Sequence, residues 1–284
     1  MNAKLSRLTL VFAPDHDDLV TGLLFLHTPW GWRDDGLVDG HRRVVVHFDR
    51  PEQSAEVEAA LHEACPTLVA TSDSVDNADW TSAWKQYFTP IHIGARFVVL
   101  PSWMADSPQT AQPILIEPKM AFGTGHHQTT ALCLEALDQL AASGTLRAGQ
   151  TFLDLGTGSG ILGIAAVKLG LSGLGLDIDP VAIDNAHENA ALNQVETELE
   201  LGVGGIDAVA ATRRFDCILA NILANPLMDM AEAITARLKR PGILVLSGIL
   251  REQADRVAAA YMDQGLPKPE ISHSQEWARL VFRA

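Results

Sequence analysis

Cysteine is scarce in this chain, three in 284 residues. Cys65, Cys133 and Cys217 stand far apart in apolar stretches, which excludes both a disulfide-stapled secreted domain and a thiolate metal cluster and fits reduced core residues of a cytosolic protein. Positive charge is also in short supply. With 21 Lys and Arg against 35 Asp and Glu, the formal net charge is −14. That balance opposes direct binding to a nucleic-acid backbone and suits either a basic partner, such as a lysine-rich protein, or solubility alone. Long apolar runs are missing too. No stretch approaches membrane-spanning length, and the N-terminus has neither the apolar core nor the cleavage site of a signal peptide, so the expected location is cytoplasmic. What remains is ordinary for a soluble globular protein, 47% hydrophobic and 20% charged, in a chain long enough for one large domain and one small.

The most informative segment is Thr151 to Gly160, an apolar strand that runs into Gly156-Thr-Gly158-Ser-Gly160, with helical spacing from Ile161 to Leu169. Glycines let a backbone approach a ligand more closely than any Cβ allows, and the following helix start directs N–H groups into the same space. Gly158, Gly160 and Gly163 satisfy the dinucleotide pattern G-x-G-x-x-G, but a pyrophosphate is poorly served by Asp154, a carboxylate two residues ahead of the loop. A cationic cofactor is better served. S-adenosylmethionine carries a sulfonium and an ammonium and no phosphate, and its ribose diol calls for a carboxylate at the end of the next strand, where Asp177 closes Leu174-Gly175-Leu176. A dinucleotide and a purely structural glycine turn are the other readings of this loop.

From Thr151 onward strands and helices alternate, with strands at Phe215 to Leu219 and Ile243 to Ser247, helices from Pro180 and from Gln253 to Asp263, and Asp179 as a cap. This predicts an α/β domain, a parallel sheet with helices on both faces and ligands beyond the carboxyl ends of the strands. Asp154, Asp177 and Asn221 all fall there. The carboxamide oxygen of Asn221 can accept a hydrogen bond from a primary amine and orient its lone pair. Ile222 and Leu223 are aliphatic where methylases of planar bases place a stacking ring, which favours a flexible alkyl amine. Asn225, just before Pro226, reads as a helix cap rather than a catalytic group.

The first seventy residues have a separate rhythm. Strands at Leu8 to Phe12, near Gly31, at Arg42 to Phe48 and at Leu68 to Ala70, with helices at Asp15 to Leu24 and Glu52 to Ala64, suggest a small ferredoxin-like α+β domain. A polar stretch from Thr71 opens a linker, and Trp80 to Phe88 spaces aromatics at helical intervals. The expected division is residues 1–72 for substrate recognition, 73–90 as a linker helix and 91–284 for the cofactor domain. Ahead of the helix through Leu132 and Leu140, the segment Met120 to Thr130 places two glycines and His126-His127 in a loop that could close over a cofactor, with Thr129 or Thr130 as cap. Adjacent histidines point apart and no third ligand stands at a suitable spacing, so no metal is expected.

Together, Trp80-x3-Trp84-Lys-x2-Phe88, Pro101-Ser-Trp103, Ala121-Phe-Gly-Thr-Gly125, Asp154-x-Gly-x-Gly-Ser-Gly-Ile-Leu, Asp177-Ile-Asp-Pro, Ala220-Asn-Ile-Leu and Leu246-Ser-Gly-Ile-Leu resemble the bacterial methyltransferases that modify large-subunit ribosomal protein eleven. The resemblance covers roughly residues 80 to 284. It implies a Rossmann-like, seven-stranded class I methyltransferase domain that uses S-adenosylmethionine. It also implies transfer to lysine and N-terminal amines of that ribosomal protein, held by the N-terminal domain, with no nucleic acid and no membrane as partner. Cofactor contacts carried by the resemblance and the loop reading are Phe122, Thr124, Thr130, Asp154, Gly156, Gly158, Gly160, Asp177, Ile178 and Asn221, with Asn221 also catalytic. Departures occur at Lys119 and at His126-His127-Gln128. Related enzymes methylate lysines of other proteins, and small-molecule or nucleic-acid N-methyltransferases share the cofactor fold.

Overall fold

The computed structural model describes residues 4–28, 32–48, 50–76, 90–117 and 127–284. The chain divides into two compact units, Met1–Thr89 and Pro90–Ala284.

In the first unit, β1 (Lys4–Phe12), α1 (Asp17–His27), β2 (Arg33–Val38), β3 (His41–Phe48), α2 (Pro51–Ala64) and β4 (Val69–Asp76) form an antiparallel sheet in the order β2-β3-β1-β4. This is the expected ferredoxin-like arrangement. Strict alternation in β1 and β3 turns Leu8, Leu10, Phe12, Val44, Val46 and Phe48 to one face, where they pack with Val20 and Leu24 of α1 and Val57 and Leu61 of α2. Pro51 opens α2, where its missing N–H is not needed. One expectation fails here. The polar stretch from Thr71, read as linker, is the body of β4, which continues to Asp76 paired against β1. An edge strand with a solvated side tolerates Thr, Ser and Asp, so polarity alone does not mark its end. The aromatic stretch Trp80 to Phe88 lies outside the described residues.

The second unit begins with a three-stranded sheet. The hairpin β5 (Ile91–Ile93) and β6 (Phe97–Leu100) is joined in parallel by β7 (Gln112–Leu115). The main sheet follows α3 (Gln128–Ala142) and comprises β8 (Thr151–Leu155), β9 (Ser172–Asp177), β10 (Leu199–Val203), β11 (Phe215–Asn221), β12 (Leu238–Leu250), β13 (Glu270–Ser274) and β14 (Trp277–Arg283). Its order is β10-β9-β8-β11-β12-β14-β13. The first five strands are parallel, whereas β14 runs antiparallel to β12 and β13, so the sheet is mixed rather than wholly parallel. This is the seven-stranded class I order. The intervening helices are α4 (Ile161–Lys168), α5 (Pro180–Asn193), α6 (Ala224–Asp229), α7 (Ala231–Ala236) and α8 (Ala254–Asp263).

Both faces of this sheet are apolar, as a strand buried on two sides requires. On one, Phe152, Cys217, Leu219 and Val245 meet Cys133 and Leu137 of α3 and Ile164 of α4. On the other, Leu153, Ile218, Leu244 and Leu246 meet Leu227, Ile234, Val257 and Tyr261 of α6, α7 and α8. All three cysteines are free and buried.

Two asparagines on α5 join the small sheet to the large one. Asn193 accepts from the Leu115 N–H at 2.9 Å and donates to the Leu115 carbonyl at 2.6 Å. One turn earlier, Asn189 accepts from the Glu117 N–H at 2.8 Å and donates to the Ser159 carbonyl at 2.8 Å. Both side chains are more than nine-tenths buried. Their hydrogen bonds therefore form out of water's competition and fix β7 and the chain after it beside the glycine loop.

Candidate functional site

The parallel strands β8, β9 and β11 deliver three polar groups to one edge. Asp154 is the penultimate residue of β8, Asp177 ends β9, and Asn221 ends β11. In register, Asp154 stands beside Gly175 of β9 and Leu219 of β11, while Asn221 stands beside Ser247 of β12.

Between β8 and α4 the chain turns through Gly156, Gly158 and Gly160, whose φ values are +71°, +55° and +82°. Two N–H groups of the turn, Gly156 and Thr157, bond the Leu176 carbonyl at 2.8 and 2.9 Å. Asp177 holds the loop from the other side: its Oδ2 accepts from the Gly158 N–H at 2.9 Å, and its Oδ1 from the Asp179 N–H at 3.1 Å. Asp177 is half-buried and keeps lone pairs open to a ligand hydroxyl. Ile178, next in line, is 81% exposed at the same rim.

Asp154 lies under the loop and is fully buried. Its Oδ2 accepts from the Thr157 hydroxyl at 2.7 Å and from the Gly163 N–H at 3.2 Å, while its Oδ1 is buried with no hydrogen-bond partner. Burial pushes this carboxyl up to about 6, against the opposing pull of those two donors, with the Asp177 charge adding to the rise. A buried carboxylate so placed favours positive charge nearby.

At the β11 edge, the Asn221 Nδ2 donates to the Thr130 hydroxyl at 3.4 Å, a long bond, and its Oδ1 is buried and without a partner. Thr130 sits in the first turn of α3. The cap of that helix is not Thr129 or Thr130, as the sequence suggests, but His127, whose Nδ1 accepts from the Thr129 N–H at 3.4 Å and pairs with the Thr129 hydroxyl at 2.7 Å. The His127 ring meets Trp277 edge to face, with centroids 5.0 Å apart. A second cap also differs: α6 begins after extended Leu223, so Asn225 lies inside the first turn and caps nothing.

The structure thus brings Asp154, Gly156, Gly158, Gly160, Asp177 and Ile178 together around one loop and joins Thr130 to Asn221. Phe122, Thr124 and His126 lie outside the described residues. Sequence reasoning missed the tight packing around Ile222. A Cβ on Gly156 would come within 2.3 Å of the Ile222 Cγ2, and one on Gly248 within 2.4 Å of the Ile222 carbonyl oxygen. The signal available for the second contact was the glycine of Ser247-Gly248-Ile249-Leu250.

A family model described as ribosomal protein L11 methyltransferase (PrmA) matches residues 33–284. Curated proteins of that name are similar: one from Pelobacter propionicus is 42% identical over 252 residues, 88% of this chain and 79% of that protein. Another from Geobacter sulfurreducens is 41% identical over 243 residues, 83% of this chain and 78% of that one. Among solved structures, a ribosomal protein L11 methylase from Lactobacillus delbrueckii subsp. bulgaricus aligns with a TM-score of 0.62 at 31% identity, over 69% of this chain and 98% of that one.

Proposed function

This chain belongs to the ribosomal protein L11 methyltransferase family, and we propose that it transfers methyl groups from S-adenosylmethionine to lysine side-chain and N-terminal α-amines of large-subunit ribosomal protein eleven. The observation that carries this reading is the Asn221 carboxamide, tethered through Nδ2 to Thr130 while its buried Oδ1 has no partner, at the strand edge next to the glycine loop. A buried acceptor left open is costly unless something donates to it, and a neutral amine supplies such a donor.

The residues present also fit S-adenosylmethionine. Gly156 lies where any Cβ would be blocked, Asp177 retains acceptor capacity for a diol, and the buried Asp154 carboxylate is relieved by a cation but would be burdened by a pyrophosphate. When bound, this cofactor supplies an electrophilic methyl group on a sulfonium. The chain's own part is alignment. Asn221 Oδ1 accepts an N–H of the neutral amine and turns the nitrogen lone pair toward the cofactor loop, while the long contact to Thr130 biases the carboxamide toward this orientation. Positioning of this kind accounts for about 7–11 kcal/mol of a barrier. Leu223, 70% exposed two residues after Asn221, offers aliphatic surface to a lysine stem. The ferredoxin-like unit is the remaining body available to hold the protein substrate, and the net charge of −14 suits a basic one.

The test is to incubate the purified protein with methyl-labelled S-adenosylmethionine and ribosomal proteins from cells lacking the enzyme, then to read labelled sites by mass spectrometry. Label on lysines or the N-terminus of protein eleven is expected. Label on a different protein discards the substrate and keeps the chemistry, and cofactor binding without any label discards the chemistry.

A further inference from the structure

Ile222 occupies a singular place between the two halves of the site. Its branch methyl Cγ2 lies against the Cα of Gly156, the first residue of the cofactor loop, so closely that an added Cβ would stand 2.3 Å away. Its main chain lies against the Cα of Gly248, where an added Cβ would be 2.4 Å from the carbonyl oxygen, 2.8 Å from the carbonyl carbon and 2.9 Å from the nitrogen. Gly248 reaches this position with φ of +79°, at the point where the register between β12 and β14 shifts. Both glycines are thus required by contact with the same residue, and that residue directly follows Asn221. The remainder of the Ile222 side chain packs against the apolar cluster that contains Leu227 and Leu246.

We propose that Ile222 is a positioning residue that couples the cofactor loop to the acceptor edge, fixing the Asn221 carboxamide relative to Gly156. This role rests on the methyltransferase reading above and extends it. Interiors this closely packed do not yield gradually: a displacement of the glycine loop is passed to Ile222 through van der Waals contact and from there along one covalent step to Asn221. The Gly248 contact bears on main chain and cannot be relieved by a side-chain rotation. The Gly156 contact bears on a single methyl and can be relieved by removing it.

This difference supplies the experiment, carried out on the full chain with S-adenosylmethionine affinity measured by calorimetry, transfer to ribosomal protein eleven measured by label, and melting followed for each variant. Ile222→Val keeps Cγ2 and is expected to hold kcat within about threefold, whereas Ile222→Ala lowers kcat by about tenfold or more with cofactor affinity within about threefold. Gly156→Ala is expected to weaken both cofactor affinity and turnover. The double variant Gly156→Ala/Ile222→Ala is expected to bind cofactor more tightly than Gly156→Ala alone, because the obstructing methyl is gone. Additive losses in the double variant overturn the proposal. So does a fall in Ile222→Val as large as in Ile222→Ala, or a loss of affinity and kcat in equal proportion in Ile222→Ala. Should the unaltered protein methylate no protein at all, the functional reading falls, while recovery of cofactor affinity in the double variant still decides whether Ile222 and Gly156 are coupled.

Discussion

In the N-terminal unit the ion pairs lie where water reaches them: Arg7 with Asp73, Arg43 with Asp35 and Arg42 with Asp34 between neighbouring strands, Arg33 with Asp35 along β2, and Arg42 with Asp17 of α1. In the C-terminal unit the decisive polar groups are inside. Asp154, Thr130, Asn189 and Asn193 are each more than nine-tenths buried, and Asn221 keeps a buried oxygen. Water competes for the first set and not for the second, so equal numbers of polar contacts carry very unequal weight. The outer pairs, screened by solvent, contribute little each. The inner groups hold their partners out of water's reach, at the sheet edge that carries the candidate site.

The sharpest test of that contrast is Asn221→Ala. Turnover is expected to fall by about 10²-fold or more while S-adenosylmethionine affinity stays within about threefold. Steady-state kinetics alongside calorimetry separates the two, and an equal loss in both would make Asn221 a binding group only. Next comes Asp177→Ala, which removes the acceptor for the Gly158 N–H and the expected diol contact. Cofactor affinity is expected to drop about 10- to 100-fold, by the measured range for hydrogen bonds to charged groups. Unchanged affinity would break the ribose assignment.

Acid titration should drive the two units in opposite directions. Asp154, raised to about 6 from an ordinary 3.8, holds a proton in the folded state that the unfolded chain has released. Its contribution is full below the ordinary value and is lost as pH rises toward 6, a swing of about 3 kcal/mol. His47 behaves in reverse. Half-burial, then the Arg33 and Arg7 charges, push it down to about 4 from 6.5, so its contribution is full above 6.5 and lost as pH falls toward 4. Solvent screening at this partly exposed site keeps that swing below about 2 kcal/mol. Melting curves from pH 4 to 7 for the parent, Asp154→Asn and His47→Gln should show each slope removed by its own substitution. Slopes that persist in both variants would erase the distinction. The smallest effect is expected from Arg7→Ala, which breaks an exposed pair with Asp73 and should cost under about 1 kcal/mol in urea unfolding.

How far the sequence revealed these features depended on how local their causes are. The glycine loop, Asp177 after its strand and Asn221 before two aliphatic residues are each written within a few consecutive positions, and the structure gathers them at one sheet edge. The ferredoxin-like arrangement is legible in the succession of strand and helix segments over the first seventy residues. The misses arose where a distant element decides. β7 is four residues with a proline and no alternation, and is a strand because β6 and Asn193 take up its main chain. His127 caps α3 although two threonines follow it, because Trp277 from the far end of the chain holds its ring. The Ile222 contacts join residues 156, 222 and 248, a span no window of sequence contains.

The asparagine pair on α5 bears on how this protein can drift over evolutionary time. Asn189 and Asn193 grip N–H and C=O groups, which every residue except proline presents alike, so they recognise an extended chain without reading what is written on it. Leu115 and Glu117 can therefore be exchanged for other residues while the strand keeps its course. The helix has less freedom, since Asn193 accepts on its oxygen and donates from its nitrogen at the same time, and the single oxygen of a serine or threonine cannot span both partners. Variation should collect at Leu115 and constancy at Asn189 and Asn193, across the same interface.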